Sequence, residues 1–126
     1  MATEQLVIPP ISLPAGGDLS SDQYKFVRVN TSGKVVVSAA AAVGICTIGI
    51  LQNAPAASDR AAAVAIGGVS KVVYHGTITA GDEIVCSSTG KATGVTSNDQ
   101  STLGVALVSG VAENIGSMLF QPRGLS

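Results

Sequence analysis

The feature that most restricts this chain is a short pattern that occurs twice. The first occurrence has a turn at Asn30-Thr31-Ser32-Gly33-Lys34, then Gly49-Ile50-Leu51, then the apolar run Ala63-Val64-Ala65-Ile66. The second has Ser87-Ser88-Thr89-Gly90-Lys91, then Gly104-Val105-Ala106-Leu107, then Ser117-Met118-Leu119-Phe120. Gly33 and Gly90 lie 57 residues apart and Gly49 and Gly104 lie 55 apart, a difference that variable turns between duplicated β-units absorb. A duplicated strand unit with no reactive constellation lying across it points to a part that holds things together rather than converting them.

A length of 126 residues suits one domain. Residues 1–17 read as an extended Pro-rich N-terminal arm and residues 18–126 as a single β-barrel-like domain. Charged residues make up 12% of the chain, the net charge is −1, and no cluster of Lys or Arg occurs. Nothing in that pattern would neutralise a row of phosphates, so no direct nucleic-acid partner is expected. The chain is 46% hydrophobic, yet Tyr24, Phe26, Tyr74 and Phe120 are its only aromatic residues. Small apolar side chains bury little area each, so subunit association is expected to supply further burial.

Met1 to Gly17 lacks a basic stretch followed by an apolar core, so it is not read as a secretory signal. Val35 to Leu51 is a 17-residue stretch without charge, but it is short for a bilayer and is interrupted by Ser38, Gly44, Thr47 and Gly49. Two buried strands account for it better, and no membrane partner is expected. Cys46 and Cys86 sit in apolar strand-like settings and read as buried small hydrophobes, with pairing left open.

Leu6-Val7-Ile8-Pro9-Pro10-Ile11-Ser12-Leu13-Pro14 carries three prolines in six positions, which forbid a helix and remove ladder donors. The segment must be extended, as polyproline or as an edge strand. Leu6, Val7, Ile8, Pro9, Pro10, Ile11, Leu13 and Pro14 are therefore the candidate binding arm, docking on a partner by strand addition or folding back over its own domain.

From Gln23 onward the chain reads as all-β. Tyr24 to Val29 alternates, Asn30 to Gly33 supplies turn residues, and Lys34 to Ser38 returns as the partner strand. Strands are also expected over Ile45–Leu51, Ala61–Ile66, Val69–Tyr74, Leu103–Leu107 and Ser117–Gln121, with Thr77 to Cys86 a turn entering a strand, a bend at Gly67-Gly68 and a polar loop from Gly94 to Thr102. Short strands at this spacing suit a small β-barrel or β-sandwich built from a duplicated strand-hairpin unit.

Catalytic motifs are lacking. Gly33-Lys34 and Gly90-Lys91 have neither the upstream glycine nor the following Ser or Thr of a phosphate-binding loop, so they read as hairpin corners. His75 is the only histidine and has no nucleophile motif beside it. Asp82 and Glu83 are adjacent and would point to opposite faces of a strand, while Asp18, Asp22, Asp59 and Asp99 fall in turns. No catalytic residue, cofactor or metal site follows from these residues. A lipoyl- or biotinyl-type carrier is also a duplicated β-structure, but it presents its lysine beside methionine, and Lys34 and Lys91 follow Gly instead.

Taken in order, Gly17-Asp18-Leu19-Ser20 with Gln23-Tyr24-Lys25-Phe26-Val27, Gly49-Ile50-Leu51-Gln52-Asn53-Ala54-Pro55, Ala63-Val64-Ala65-Ile66 with Gly68-Val69-Ser70-Lys71-Val72, and Ala80-Gly81-Asp82 resemble the small capsid decoration, or cement, proteins of tailed bacteriophages. The series runs from residue 17 to about residue 120. The resemblance implies a barrel-like domain, commonly a homotrimer, made in the host cytoplasm and bound to the outer surface of the expanded head. The major capsid protein would be its partner and an N-terminal arm would reach onto the lattice. It implies no enzyme activity. The apolar run Ala39–Val43 departs from the family pattern. The competing reading is a small β-barrel binding module, a glycan- or cell-surface-binding head or spike protein, which would require aromatic platforms. Removing residues 1–14 is expected to abolish capsid binding and leave the trimer folded.

Overall fold

The computed structural model describes residues 9–39, 46–95 and 101–125; Leu6 to Ile8, most of Ala39–Val43 and Asp99 lie outside them. Among the described residues there is no helix, and hence none long and apolar enough to cross a membrane. Ten strands among the described residues form two antiparallel five-stranded sheets. The first unit contains β1 (Ile11–Pro14), β2 (Phe26–Val29), β3 (Val35–Val37), β4 (Thr47–Leu51) and β5 (Ala61–Ala65), in the order β1-β5-β4-β2-β3. The second contains β6 (Gly68–Val73), β7 (Glu83–Cys86), β8 (Ala92–Gly94), β9 (Ser101–Ala106) and β10 (Ile115–Leu125), in the order β6-β10-β9-β7-β8.

These two orders are one topology used twice, and the registers agree at the pairs the two sheets share. Phe26 pairs with Ile50 as Glu83 pairs with Val105; Ile50 pairs with Ala65 as Val105 pairs with Leu119. Ile11 opposes Val64 as Ser70 opposes Met118. Each sheet curls until one parallel bridge links the end of its first strand to its third, Ala15 to Val35 and Tyr74 to Ala92. A single bridge is not a ladder, because β3 and β8 are only three residues long. The sheets therefore do not close into barrels, and the arrangement is sandwich-like.

Local chemistry explains the shared turns. Asn30 Oδ1 accepts the N–H groups of Ser32 and Lys34, and Ser87 Oγ accepts those of Thr89 and Lys91. Gly33 and Gly90 then take φ of 77° and 81°, which a side chain resists. At Gly49 and Gly104 a Cβ would overlap the carbonyl oxygens of Ala65 and Leu119, so the strand crossing at these sites requires glycine.

Several boundaries differ from the sequence expectation. Tyr24 adopts φ 66° and lies before β2 rather than in it, matching Gly81 at φ 95° in the second unit. The last strand extends to Leu125, with a register shift between Phe120 and Gly124 around Pro122, which has no N–H for the ladder.

Each unit has its own interior. Leu19, Val27, Val35, Leu51 and Val64 fill the first. Ile78, Ile84, Ala92, Ala106 and Met118 occupy the corresponding positions in the second. The residue differs at each of these positions, and the largest change in volume is at one pair: Ala15 and Ala62 in the first correspond to Tyr74 and Gly116 in the second. Tyr74 is fully buried and its hydroxyl donates to Val108 O at 2.6 Å. Any Cβ on Gly116 would overlap its ring, so glycine makes room for the larger side chain.

Candidate functional site

The N-terminal segment is partly built into the sheet. Ile11, Ser12, Leu13 and Pro14 pair with Val64, Ala63, Ala62 and Ala61, placing β1 at the sheet edge. Leu13 packs half-buried against the first interior, whereas Pro9, Pro10, Ile11 and Pro14 are exposed. Of the proposed arm residues, the structure thus joins Ile11, Leu13 and Pro14 to the chain's own β5, and Leu6, Val7 and Ile8 are outside the described residues. Removing residues 1–14 would consequently delete a strand as well as an arm; a truncation ending at Pro10 spares the sheet.

Both hairpin lysines are ion-paired. Lys34 Nζ lies 2.7 Å from Asp59 Oδ1, and Lys91 Nζ lies 2.6 Å from Glu113 Oε1. Asp59 and Glu113 each have φ 69°, a backbone conformation unusual for a side chain with a Cβ. The hydrogen bond from Lys91 holds the Glu113 carboxyl below the usual carboxylate range, with smaller contributions from nearby positive charge. These lysines tie a hairpin to a loop and do not line a phosphate cradle.

The remaining polar groups serve turns. Asp18 Oδ1 accepts the Ser20 N–H at 2.9 Å, and hydrogen bonds from the Ser20 side chain and backbone hold the Asp18 carboxyl low. Asp22 pairs with Lys25 at 2.8 Å, and Asp82 accepts the Thr79 N–H at 2.9 Å. His75 is exposed and donates its backbone N–H to Ala92 O. Among the described residues no three His, Cys, Asp or Glu side chains group as metal ligands.

The two cysteines part company. Both are free thiols, but Cys46 is exposed, contrary to expectation, while Cys86 is buried between the units. Burial pushes the Cys86 thiol up to about 11 against the opposing hydrogen bonds of Ser38 and Thr47. A thiol held in that state is not a nucleophile at neutral pH. The aromatic rings are likewise committed inward. Tyr74, Phe26 and Phe120 are buried, with Phe26 and Phe120 centroids 6.2 Å apart across the units. Half-buried Tyr24 lies beneath Lys71 Nζ at 5.7 Å.

What the surface does offer is shape. Asp82, Glu83, Gly94 and Val95 line an open depression of about 360 Å³ on the second unit. Large apolar side chains are exposed at Ile11, Val29, Leu107, Val111 and Ile115.

No protein-family model and no curated protein matches the chain. Its fold is similar to that of a solved structure, the N base of the head fiber gp8.5 in bacteriophage phi29. The TM-score is 0.65 at 10% sequence identity, and the alignment covers 93% of this chain and 98% of that one.

Sequence reasoning found the hairpin lysines but missed their carboxylates. The signal was available: Asp59 and Glu113 stand at corresponding places in the two occurrences of the pattern, 54 residues apart. The contact between units left no such trace, since Phe26, Gly90 and Phe120 are brought together only by the fold.

Proposed function

We propose that this chain is a viral capsid decoration protein, a homotrimer that binds the outside of the expanded phage head and stabilises contacts between major capsid protein subunits. The observation that carries this reading is the fold likeness to the N base of a phage head fiber, which spans nearly the whole of both chains. The order of motifs from Gly17 to Phe120 supports it independently.

In this reading β1 roots the N-terminal segment and the residues before it reach onto the lattice. Ile11, Leu13 and Pro14 are the anchor; Leu6, Val7, Ile8, Pro9 and Pro10 are the reach. A trimer touching several capsid subunits through weak contacts adds area that must break before the subunits separate, and simultaneous engagement multiplies each contact. The protein is not an enzyme and uses no cofactor. The alternative, a glycan- or cell-surface-binding head or spike protein, shares the fold likeness to a head fiber, but all four aromatic rings are buried or half-buried and none offers a platform for stacking on a glycan.

Expanded heads assembled without this chain provide the test. Added protein should co-sediment with them to a fixed number of copies per head, and a variant lacking residues 1–10 should keep its fold and its number of subunits but lose co-sedimentation. Normal occupancy by the truncated protein would refute the arm, and absence of saturable binding by the full chain would refute the function.

A further inference from the structure

The two units pack head to tail, and each leaves open the face that the other uses. The second unit inserts its β7–β8 hairpin against the first: Gly90 O accepts the Phe26 N–H at 2.7 Å, and a Cβ on Gly90 would meet Val37, Phe26 O and Ser38 O. Around this plug, Phe120 meets Phe26, the Cys86 thiol meets Ser38 and Thr47, and Gln52 Nε2 donates to Ser70 Oγ at 2.9 Å. The first unit therefore contributes a socket, and the second contributes the hairpin and its surround.

The duplicated registers locate the unused counterparts. Lys25, Phe26, Val37 and Ser38 of the socket correspond to Asp82, Glu83, Gly94 and Val95. Those four residues line the open depression of the second unit. Gly90 of the plug corresponds to Gly33, whose hairpin tip is exposed with nothing within 4 Å of a Cβ built there. Around the plug, Ser70, Cys86 and Phe120 are 0%, 7% and 3% exposed, and their first-unit counterparts are Ile11 and Val29, at 37% and 39%, and half-buried Ile66. The same positions are covered in one unit and open in the other.

The open faces have also changed chemistry together. Gln52 and Ser70 form a polar pair inside the chain; their counterparts are Leu107, 44% exposed, and Ile11. Cys86 meets Ser38, and the counterparts are Val29 and Val95. At these two contacts the open faces present apolar side chains where the internal contact is polar, and beside them the depression carries the exposed acidic side chains of Asp82 and Glu83; matched apolar side chains on two open faces fit another protein surface better than water. One bond is not transferable: Val73 donates its N–H to Tyr24 O, but its counterpart Pro14 has none. Contact between open faces thus relies on the hairpin and the side chains.

We infer that the occupant of the depression at Asp82, Glu83, Gly94 and Val95 is the Asn30–Lys34 hairpin of a second copy of this chain, with Leu107 of one copy on Ile11 of the next. Plug and socket lie on different units, so the contact is heterologous and repeats from copy to copy until a ring closes. This inference stands apart from the virion reading and does not need it.

Two variants separate this geometry from any self-paired interface. Ile11→Lys with Val29→Lys spoils the plug side at exposed positions, and Leu107→Lys with Gly94→Tyr fills the socket side, where a Cβ on Gly94 meets nothing within 4 Å. Light scattering should give the unaltered chain a single mass that is a multiple of 12.5 kDa, and each variant alone the mass of one chain with an unchanged circular dichroism spectrum. Mixed, the two variants should form a one-to-one pair and nothing larger, because one intact plug meets one intact socket. Ile115→Lys, exposed but on neither face, should leave the mass of the unaltered chain in place. A monomeric unaltered chain, a variant that keeps the full mass, or a mixture that stays monomeric would overturn the inference; misfolded variants could not give the one-to-one pair.

Discussion

The first and second units share a backbone and differ in what fills it. Alanines at positions 15 and 62 line one interior, and the other places Tyr74 against Gly116 without altering strand order or register. Yet the glycine at the strand crossing and the hydrogen-bonded hairpin turn recur in both. The comparison teaches that the topology is held by a few backbone constraints, while the interior accepts different side chains whose volumes compensate.

The sharpest way to break the comparison is at the crossing glycines. Gly49→Ala and Gly104→Ala each push a methyl into a backbone carbonyl that cannot move without breaking a ladder, so each should cost on the order of 5 kcal/mol or prevent folding. Denaturant melts of the two variants should agree, since the positions are equivalent.

The interior swap sharpens it further. Tyr74→Ala should cost about 4 kcal/mol, from the cavity and the lost bond to Val108 O. Gly116→Ala should be destabilising alone but tolerated beside Tyr74→Ala, because the pair then reproduces Ala15 and Ala62. A cycle through the four proteins should show coupling of at least about 1 kcal/mol. Additive costs would mean that the two interiors are not interchangeable.

A smaller effect concerns Cys86, whose counterpart is Val29. The folded thiol is raised to about 11 from its ordinary 9.0, so its neutral form contributes stability that is fully present below pH 9.0 and is lost as pH rises toward 11. Cys86→Val should remove that part of the alkaline decline in melting temperature. The smallest effects belong to the ion pairs. Lys91→Met should weaken the fold slightly more than Lys34→Met, since Lys91 is the more covered of the two, and both differences should shrink in high salt. Because the Glu113 carboxyl is held low, its contribution is present above the ordinary carboxylate range and lost as pH falls through its lowered folded value.

Much of the fold was legible in the sequence because punctuation carries it. Asn30-Thr31-Ser32-Gly33 and Ser87-Ser88-Thr89-Gly90 mark the hairpins directly, and the offset between Gly49 and Gly104 marks the duplication. Tyr24 was misplaced because alternation with Phe26 imitates a strand, whereas its O accepts from Val73 and its backbone turns left-handed. Cys46 was misjudged because apolar neighbours do not fix burial at a sheet rim. The candidate surface was less legible: Phe26 and Val27 are both buried because β2 packs on two faces, and no periodicity says which face meets the other unit. Only the finished registers pair Ile11 with Ser70 and Val29 with Cys86.

The measurement closest to the central claim is genome retention on heating by expanded, filled heads with and without this protein. Heads saturated with the chain should keep their DNA at temperatures that empty undecorated heads, with the difference abolished by removal of residues 1–10. Equal release temperatures at full occupancy would contradict a cementing role.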